Sequence, residues 1–325
     1  MTTPETTCQI LITRGDLFGQ PAARLAALGR VEQRSEPDPP TVAELIERLT
    51  GVTAVLALAG DPFTAEVFAT TPDLRIVALA SAGYDSIDVA AAQAHGVVVT
   101  SAPGVLAEAV ADTTFGLILG ARRRLVEADR YVRAGHWVAS ELALMVGPDV
   151  HGARLGLVGY GANAKAVARR ARGFDMDVVY HDPYAQADDN AWPVPWGELL
   201  ATSDIVSLHC PLTPETRGLI GEEALRQMKP SATLVNTARG AVIDQPALIR
   251  ALREGWIASA GLDVQVQEPN PDPASELYAL ENVVVLPHIG SASTSARLAM
   301  TDLAARNIEA VLRGQPALTA VPGGA

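Results

Sequence analysis

The sequence predicts an α/β protein with two doubly wound parallel-sheet domains, the first of them discontinuous. Three observations carry this. Short runs of Val, Leu and Ile alternate with Ala-rich helical stretches along most of the chain, the pattern of repeated βα units. The length of 325 residues is enough for two domains. A last helical stretch over 294–313 follows the second set of strands and is expected to pack back on the first.

In order, residues 8–13 read as a strand and 21–28 as a helix. Pro37-Asp38-Pro39-Pro40 breaks the chain before a helix over 41–49 that Thr41 caps. Residues 52–58 are strand, closed by Ala59-Gly60-Asp61-Pro62, with a helix from Thr64. Strand 75–80 ends in the polar turn Ser81-Ala82-Gly83-Tyr84-Asp85, and helix 88–95 and strand 97–100 follow. Open α/β sheets take ligands beyond the carboxyl ends of their strands, so Ala59-Gly60 and Ser81-Ala82-Gly83 are the expected ligand-facing loops. From Val105 to about Arg133 one long helical pattern connects the domains.

The second domain opens on strand 155–158, the turn Gly159-Tyr160-Gly161-Ala162-Asn163-Ala164, helix 166–172, strand 177–180 and then Asp182. Strand, glycine turn, helix, strand and an acid about 20 residues on are the parts of a dinucleotide-binding unit. Gly159 permits the tight turn, Gly161 lets backbone approach a pyrophosphate, and the helix start offers N–H groups to it. Asp182 is placed to accept from a ribose 2′-hydroxyl and to repel a 2′-phosphate. No Arg follows in His181-Asp182-Pro183-Tyr184, which favours NAD over NADP. Residues 183–195 read as a Pro-interrupted loop. Strands follow at 205–209, 233–237, 258–264 and 283–286, with helices ending near Met228 and spanning 245–253.

The balance of 25 basic and 37 acidic residues, a formal charge of −12, argues against nucleic acid or an anionic membrane as partner. Cys8 and Cys210 stand far apart without metal-ligand spacing, so no metal site and a reducing, cytoplasmic compartment are expected. The start MTTPETTCQI lacks the charge and apolar core of a signal peptide, and no apolar run approaches the roughly 20 residues that span a bilayer.

Arg239, Glu268 and His288 fall just beyond strand ends of the second domain, the edge that would receive a nicotinamide. Hydride transfer to a ketone needs a proton donor for the forming alkoxide, and His is the side chain that titrates near working pH. A carboxylate such as Glu268 would stabilise the imidazolium, and an Arg can fork onto a carboxylate and its neighbouring carbonyl. The N–H groups of Ala82 and Gly83 could hold the far carboxylate oxygens. Singly, each side chain also has an ordinary structural reading, as a surface ion pair, a loop carboxylate or a capped histidine.

Together SAGYDSID, APGVLAEAVADTTFGLIL, LGLVGYGANAKAVARR, YHDP, LHCPLTPETRGLI, MKPSATLVNTARGAVID, GLDVQVQEP and LPHIGSAS resemble the D-isomer-specific 2-hydroxyacid dehydrogenase family over nearly the whole chain. The resemblance implies two Rossmann-like domains, a substrate-binding domain of residues 1–103 and 290–325 and an NAD-binding domain of residues 104–289, whose cleft closes on binding. By the same resemblance Arg239 binds and polarises a 2-oxo acid, Glu268 pairs with His288, His288 is the acid/base and Ser291 lies near the substrate. Tyr160, Gly161, Ala162 and Asn163 would form the phosphate turn, with Asp182 at the ribose and His209, Cys210, Pro211 and Thr216 along the adenosine side. Thr237 and Ala238 would meet the nicotinamide ribose, Asp263 the carboxamide, and His288 and Gly290 would complete the cofactor site. Members are usually homodimers formed through the nucleotide domain, and Trp137 resembles an aromatic near that contact, although packing within its own loop would suit it equally.

Departures from the family pattern are Ala162-Asn163-Ala164 for the usual Arg-Ile-Gly, which leaves the turn without a cation, Ser101-Ala102 for Asn-Thr, Ala107 for Thr, and Asp112 for Glu. The implied reaction is NADH-dependent reduction of a small 2-oxo acid, glyoxylate or hydroxypyruvate, to the D-2-hydroxy acid. A short-form phosphoglycerate dehydrogenase is the enzymatic alternative. It is weakened by the lack of an Arg or Lys cluster in the first-domain loops, where Asp61 even places an acid. An NAD-sensing, corepressor-like binding protein is the alternative of another class, and the chain has no basic or peptide-binding segment to support it.

Overall fold

In the computed structural model, which describes residues 8–270 and 272–322, each run read as a strand lies in a parallel sheet. The start of the chain read above for a signal peptide, residues 1–7, lies outside the described residues. The chain divides into two compact units, one up to Leu106 and from Ala292 onward, the other Ala107–Ser291.

In the first unit the strands are β1 (Cys8–Ile12), β2 (Gly29–Gln33), β3 (Ala54–Ala57), β4 (Ile76–Leu79) and β5 (Val98–Thr100), ordered β2-β1-β3-β4-β5. Between them run α1 (Pro21–Leu25), α2 (Val42–Arg48), α3 (Ala65–Thr70) and α4 (Val89–Ala94). Thr41 and Asp88 cap α2 and α4 by accepting from the N–H groups of Glu44 and Ala91. Leu45, Val67, Phe68 and Ala92 from the helices close one face of the sheet over Leu11, Val55, Val77 and Val99. The last helix, residues Thr294–Leu312, packs on β3 and β4 and against α1, so this unit is discontinuous.

Strand β2 is not foreshadowed by hydrophobicity. Its sequence GRVEQ is polar because it is an edge strand, paired with β1 alone and largely exposed.

The second unit begins with α5 (Ala107–Arg122) and α6 (Leu125–Arg133), where the sequence suggests one long helix. The break comes from distant contacts that periodicity cannot register. Arg122 turns inward and donates to the carbonyls of Asp149, Asp204 and Ser231, and Arg124 adopts a left-handed φ of 55°.

The unit continues through β6 (Arg154–Val158), α7 (Ala162–Ala171), β7 (Asp177–His181), β8 (Trp192–Pro193), α8 (Trp196–Thr202) and β9 (Ile205–Leu208). It closes with α9 (Glu222–Gln227), β10 (Thr233–Asn236), α10 (Gln245–Glu254), β11 (Ser259–Leu262) and β12 (Val283–Val285), and the helix Thr294–Leu312 of the first unit is α11. Sheet order is β12-β11-β10-β9-β6-β7-β8. The stretch read as a Pro-interrupted loop therefore holds a two-residue edge strand, β8, and leads directly into α8. Alternation along β10 shows how the core is split: Val235 joins Phe115, Ile118 and Val167 on one face, and Leu234 joins Leu199, Leu225 and Leu248 on the other.

The strand order of the second unit reverses between β6 and β9. Ligands of doubly wound sheets sit beyond such a reversal, at the carboxyl ends of the two strands.

Candidate active site

At that reversal the turn after β6 meets the turn after β9. Gly159 has φ 85°, and a Cβ there would lie 2.8 Å from the Cys210 nitrogen, so no other residue fits. Gly161 caps α7 with nothing within 4 Å of where a Cβ would be. No side chain caps α7, and the first-turn N–H groups of Ala162, Asn163 and Ala164 have no partner among the described residues, the arrangement that accepts a phosphate.

Tyr160 behaves differently from its neighbours. Its ring is buried and stacked on Tyr180 at 4.1 Å, its hydroxyl donates to Asp188 at 2.7 Å, and burial raises its pKa. Its N–H donates to Asp182 Oδ2 at 2.8 Å, so neither polar group of Tyr160 points at a ligand.

Asp182 also accepts from the N–H groups of Tyr184 and Ala185 through Oδ1. Three bonds occupy a carboxylate with about four acceptor positions, leaving one for an incoming hydroxyl. Lys165 does not restore the missing phosphate cation, because its ammonium lies 3.9 Å from Asp188 and over the Tyr160 ring.

After β9, His209 Nε2 contacts Ser207 Oγ at 2.9 Å, whereas Nδ1 is buried without a partner among the described residues. Burial pushes this imidazole down to about 4, so it is neutral at working pH. Burial likewise pushes the Cys210 thiol up to about 11. Thr216 donates to the Pro211 carbonyl at 2.6 Å and accepts from the Thr213 N–H, pinning the loop.

The candidate catalytic side chains converge beyond β10, β11 and β12. Asn236, which the motif reading passed over, accepts from the Ala238 N–H and donates to the Arg239 carbonyl, shaping the turn that presents Arg239. Arg239 Nη1 donates to the Ala238 carbonyl at 2.7 Å. Gly240 lies against Gln265, where a Cβ would come within 1.9 Å of backbone, so this turn and the Gln265–Glu268 loop must touch. The Thr237 hydroxyl lies 3.2 Å from that of Thr114.

Glu268 accepts from the Gln265 N–H and from His288 Nδ1, each at 2.6 Å. Burial opposes ionisation of Glu268, but the His288 hydrogen bond and charge, the Gln265 N–H and the Arg239 charge outweigh it and hold the carboxyl below its usual range. With Nδ1 engaged, Nε2 of the half-exposed His288 has no partner among the described residues and can pass a proton outward.

Asp263 is the anchor of this loop. Its carbonyl accepts from the His288 N–H, and its carboxylate from those of Ile289 and Gly290 at 2.8 and 2.7 Å. These bonds hold His288 at the uncommon φ of 56°. Gly290 and the half-buried Ser291 thereby stay with the second unit.

In the first unit, Ser81 Oγ donates to the Gly83 carbonyl at 2.9 Å, and the N–H groups of Ala82 and Gly83 have no partner among the described residues. One expectation is overturned here. Asp61 is not an acid offered to ligands but is fully buried, with Oδ1 bonded to Arg14 and Oδ2 to Thr13 and the Leu58 N–H. It therefore does not count against a phosphorylated substrate. Among the described residues no helix is long and apolar enough to cross a membrane, and no three His, Cys, Asp or Glu side chains gather as a metal site would.

Two parallel α/β units, with a glycine turn at the reversal of one and an imidazole–carboxylate pair within reach of an arginine's charge, define a nucleotide-dependent dehydrogenase architecture. Residues 115–290 match the family described as D-isomer specific 2-hydroxyacid dehydrogenase, NAD binding domain. A glyoxylate reductase of Korarchaeum cryptofilum is 50% identical over 299 residues, covering 89% of this chain and 90% of its own. A solved structure of a Thermus thermophilus protein is 42% identical, with a TM-score of 0.90 over 97% of this chain and 100% of the other. The NADPH-dependent glyoxylate/hydroxypyruvate reductase of Sinorhizobium meliloti, solved with NADP and malonate, is 32% identical, with a TM-score of 0.86 over 98% of each chain. The chain belongs to the D-isomer specific 2-hydroxyacid dehydrogenase family, enzymes that use NAD or NADP to interconvert 2-oxo and 2-hydroxy acids.

Proposed function

We propose that this dehydrogenase reduces a small 2-oxo acid of the glyoxylate or hydroxypyruvate kind to the D-2-hydroxy acid, with NADH preferred to NADPH. The observation that carries it is the His288–Glu268 pair at 2.6 Å, close enough to Arg239 for its charge to act on the carboxylate. We assign substrate binding to Ala82 and Gly83 of the first unit and to Arg239 and Ser291 of the second. The cofactor falls to residues of the second unit. There the first turn of α7 holds the pyrophosphate, and Asp182 takes the ribose hydroxyl with its remaining acceptor position. The His209–Pro211 turn and Thr216 lie along the adenosine, and Thr237, Ala238, Asp263 and Gly290 lie toward the nicotinamide.

When bound, the dinucleotide supplies the hydride. Arg239 orients the acid by its carboxylate and draws electron density toward the carbonyl oxygen. His288 gives its Nε2 proton to that oxygen as negative charge develops, and Glu268 steadies the resulting ring in one orientation and tautomer. Purified protein tested against 2-oxo acids of graded size, with NADH and then NADPH, should consume NADH fastest with glyoxylate or hydroxypyruvate. A clear preference for a bulky or phosphorylated acid would overturn the substrate assignment.

Asp182→Ala tests the cofactor reading. Removing one charged acceptor should lower the kcat/KM preference for NADH over NADPH by roughly tenfold or more. An unchanged ratio would mean that Asp182 serves only the Tyr160 turn.

A homodimer formed through the second unit completes the reading. The segment after α6 exposes Trp137, Val138, Leu142 and Val146, and Leu142 has no cover at all. An apolar arm of this kind calls for a partner surface. The double variant Trp137→Glu with Leu142→Glu should sediment as a monomer where the parent is a dimer, and a monomeric parent would remove the assignment. The free thiols of Cys8 and Cys210 support a reducing, cytoplasmic location.

A further inference from the structure

The strand order of the first unit reverses between β1 and β3, the position where open α/β sheets ordinarily take a ligand. Here protein fills it. Thr13 and Arg14 leave the end of β1, Leu58 to Asp61 leave the end of β3, and a buried ion pair joins them. Asp61 Oδ1 accepts from Arg14 Nε at 3.0 Å and Nη2 at 2.6 Å, while Oδ2 accepts from Thr13 Oγ1 at 2.6 Å and the Leu58 N–H at 3.0 Å. Arg14 Nη1 is anchored on the Pro37 carbonyl. Every acceptor position of the carboxylate is taken, so the pair cannot itself meet a substrate.

A buried ion pair is weak evidence for stability, because well-packed apolar residues often serve as well. What apolar residues could not do is take the Leu58 N–H. That bond, with the Asp61 N–H donating to the Leu58 carbonyl at 3.2 Å, closes a tight turn whose tip is Ala59-Gly60. Gly60 has φ 103°, open space where a Cβ would be, and an N–H that donates to Ser86 Oγ at 3.1 Å. Ser86 belongs to the loop after β4, the loop of Ala82 and Gly83, and β3 and β4 are neighbours in the sheet. One line of contacts therefore runs from Arg14 through Asp61 and Gly60 to Ser86 and fixes both loops at the sheet's carboxyl edge. The tip carries no side chain larger than a methyl, so its backbone position defines the wall it presents.

We propose that Arg14 and Asp61 are positioning residues that set selectivity for the substituent on the 2-oxo acid by fixing the Ala59-Gly60 tip, with Ser86 as the link to the carboxylate-binding loop. This rests on the 2-oxo acid reductase reading above.

The test compares kcat and KM for glyoxylate, hydroxypyruvate and phenylpyruvate at saturating NADH in the parent, Ser86→Ala and Asp61→Asn, with melting temperatures and KM for NADH alongside. Ser86→Ala leaves the buried pair intact and keeps the proposal testable if Asp61→Asn does not fold. Its glyoxylate-to-phenylpyruvate ratio of kcat/KM should fall roughly tenfold, the scale of one lost wall contact, through KM more than kcat and with KM for NADH unchanged. A folded Asp61→Asn should lose more of the ratio. Unchanged ratios in Ser86→Ala, with or without a lower melting temperature in Asp61→Asn, would overturn the proposal and leave the functional reading standing. A parent that binds NADH but reduces none of the three acids would overturn the functional reading and the proposal with it.

Discussion

Replacing His288 with Ala lowers kcat for 2-oxo acid reduction by about 10²- to 10⁴-fold, the contribution of a positioned general acid. The affinity for NADH changes little. The expectation follows from how the loop is bonded. Nδ1 is held by Glu268, the backbone N–H is held by the Asp263 carbonyl, and the next two N–H groups are held by the Asp263 carboxylate. The ring is therefore fixed from behind, and Nε2 is its one outward nitrogen. Ala removes the proton donor and leaves the Asp263 clamp in place, so the loop keeps its path. Stopped-flow turnover with equilibrium NADH titration separates the two effects. Ordinary turnover in the variant would remove His288 from the reaction, and lost NADH binding would show that its role is in holding the cofactor site.

Replacing Arg239 with Ala raises KM for the 2-oxo acid and lowers kcat, a combined loss of roughly a hundredfold to a thousandfold in kcat/KM. The Asn236 bonds that shape the turn join main-chain groups of Ala238 and Arg239, and truncating the side chain leaves them whole. Arg239→Lys should recover only a small part of the loss, since an ammonium cannot form the paired, planar bonds of a guanidinium to a carboxylate. Equal activity of the Lys variant and the parent would mean that Arg239 acts as a simple charge. Loss of the Arg239 charge also leaves Glu268 with one fewer neighbour favouring its ionised form. The Glu268 carboxyl should therefore protonate at a higher pH in the Ala variant than in the parent, and activity at the acid end of the profile should fall sooner.

The parts of the molecule legible in the sequence were those with local causes. Buried parallel strands are short and apolar on both faces, so β1, β3, β6 and β10 could be read directly, and Thr41 announced the helix it caps. What escaped depends on partners far along the chain. The split between α5 and α6 follows from Arg122 reaching Asp204 and Ser231, and β2 is polar because only one neighbour covers it.

The site shows the same division. Residue types placed Arg239, Glu268 and His288 beyond strand ends, and the structure brings Glu268 and His288 into contact. Residue type alone could not show that Asp61 is neutralised by Arg14, since the two stand at the ends of different strands. Nor could it show that Tyr160, set between two glycines, turns its ring into the core, or that Asp263 carries the loop of His288 on its carboxylate.

The most direct test of the central claim is the configuration of the product formed from hydroxypyruvate and NADH, resolved by chiral chromatography while NADH loss is followed. Glyoxylate gives an achiral product and cannot report this, whereas hydroxypyruvate can. The account predicts NADH consumption matched mole for mole by the D-2-hydroxy acid. Formation of the L-acid, or bound NADH that is never consumed, would contradict it.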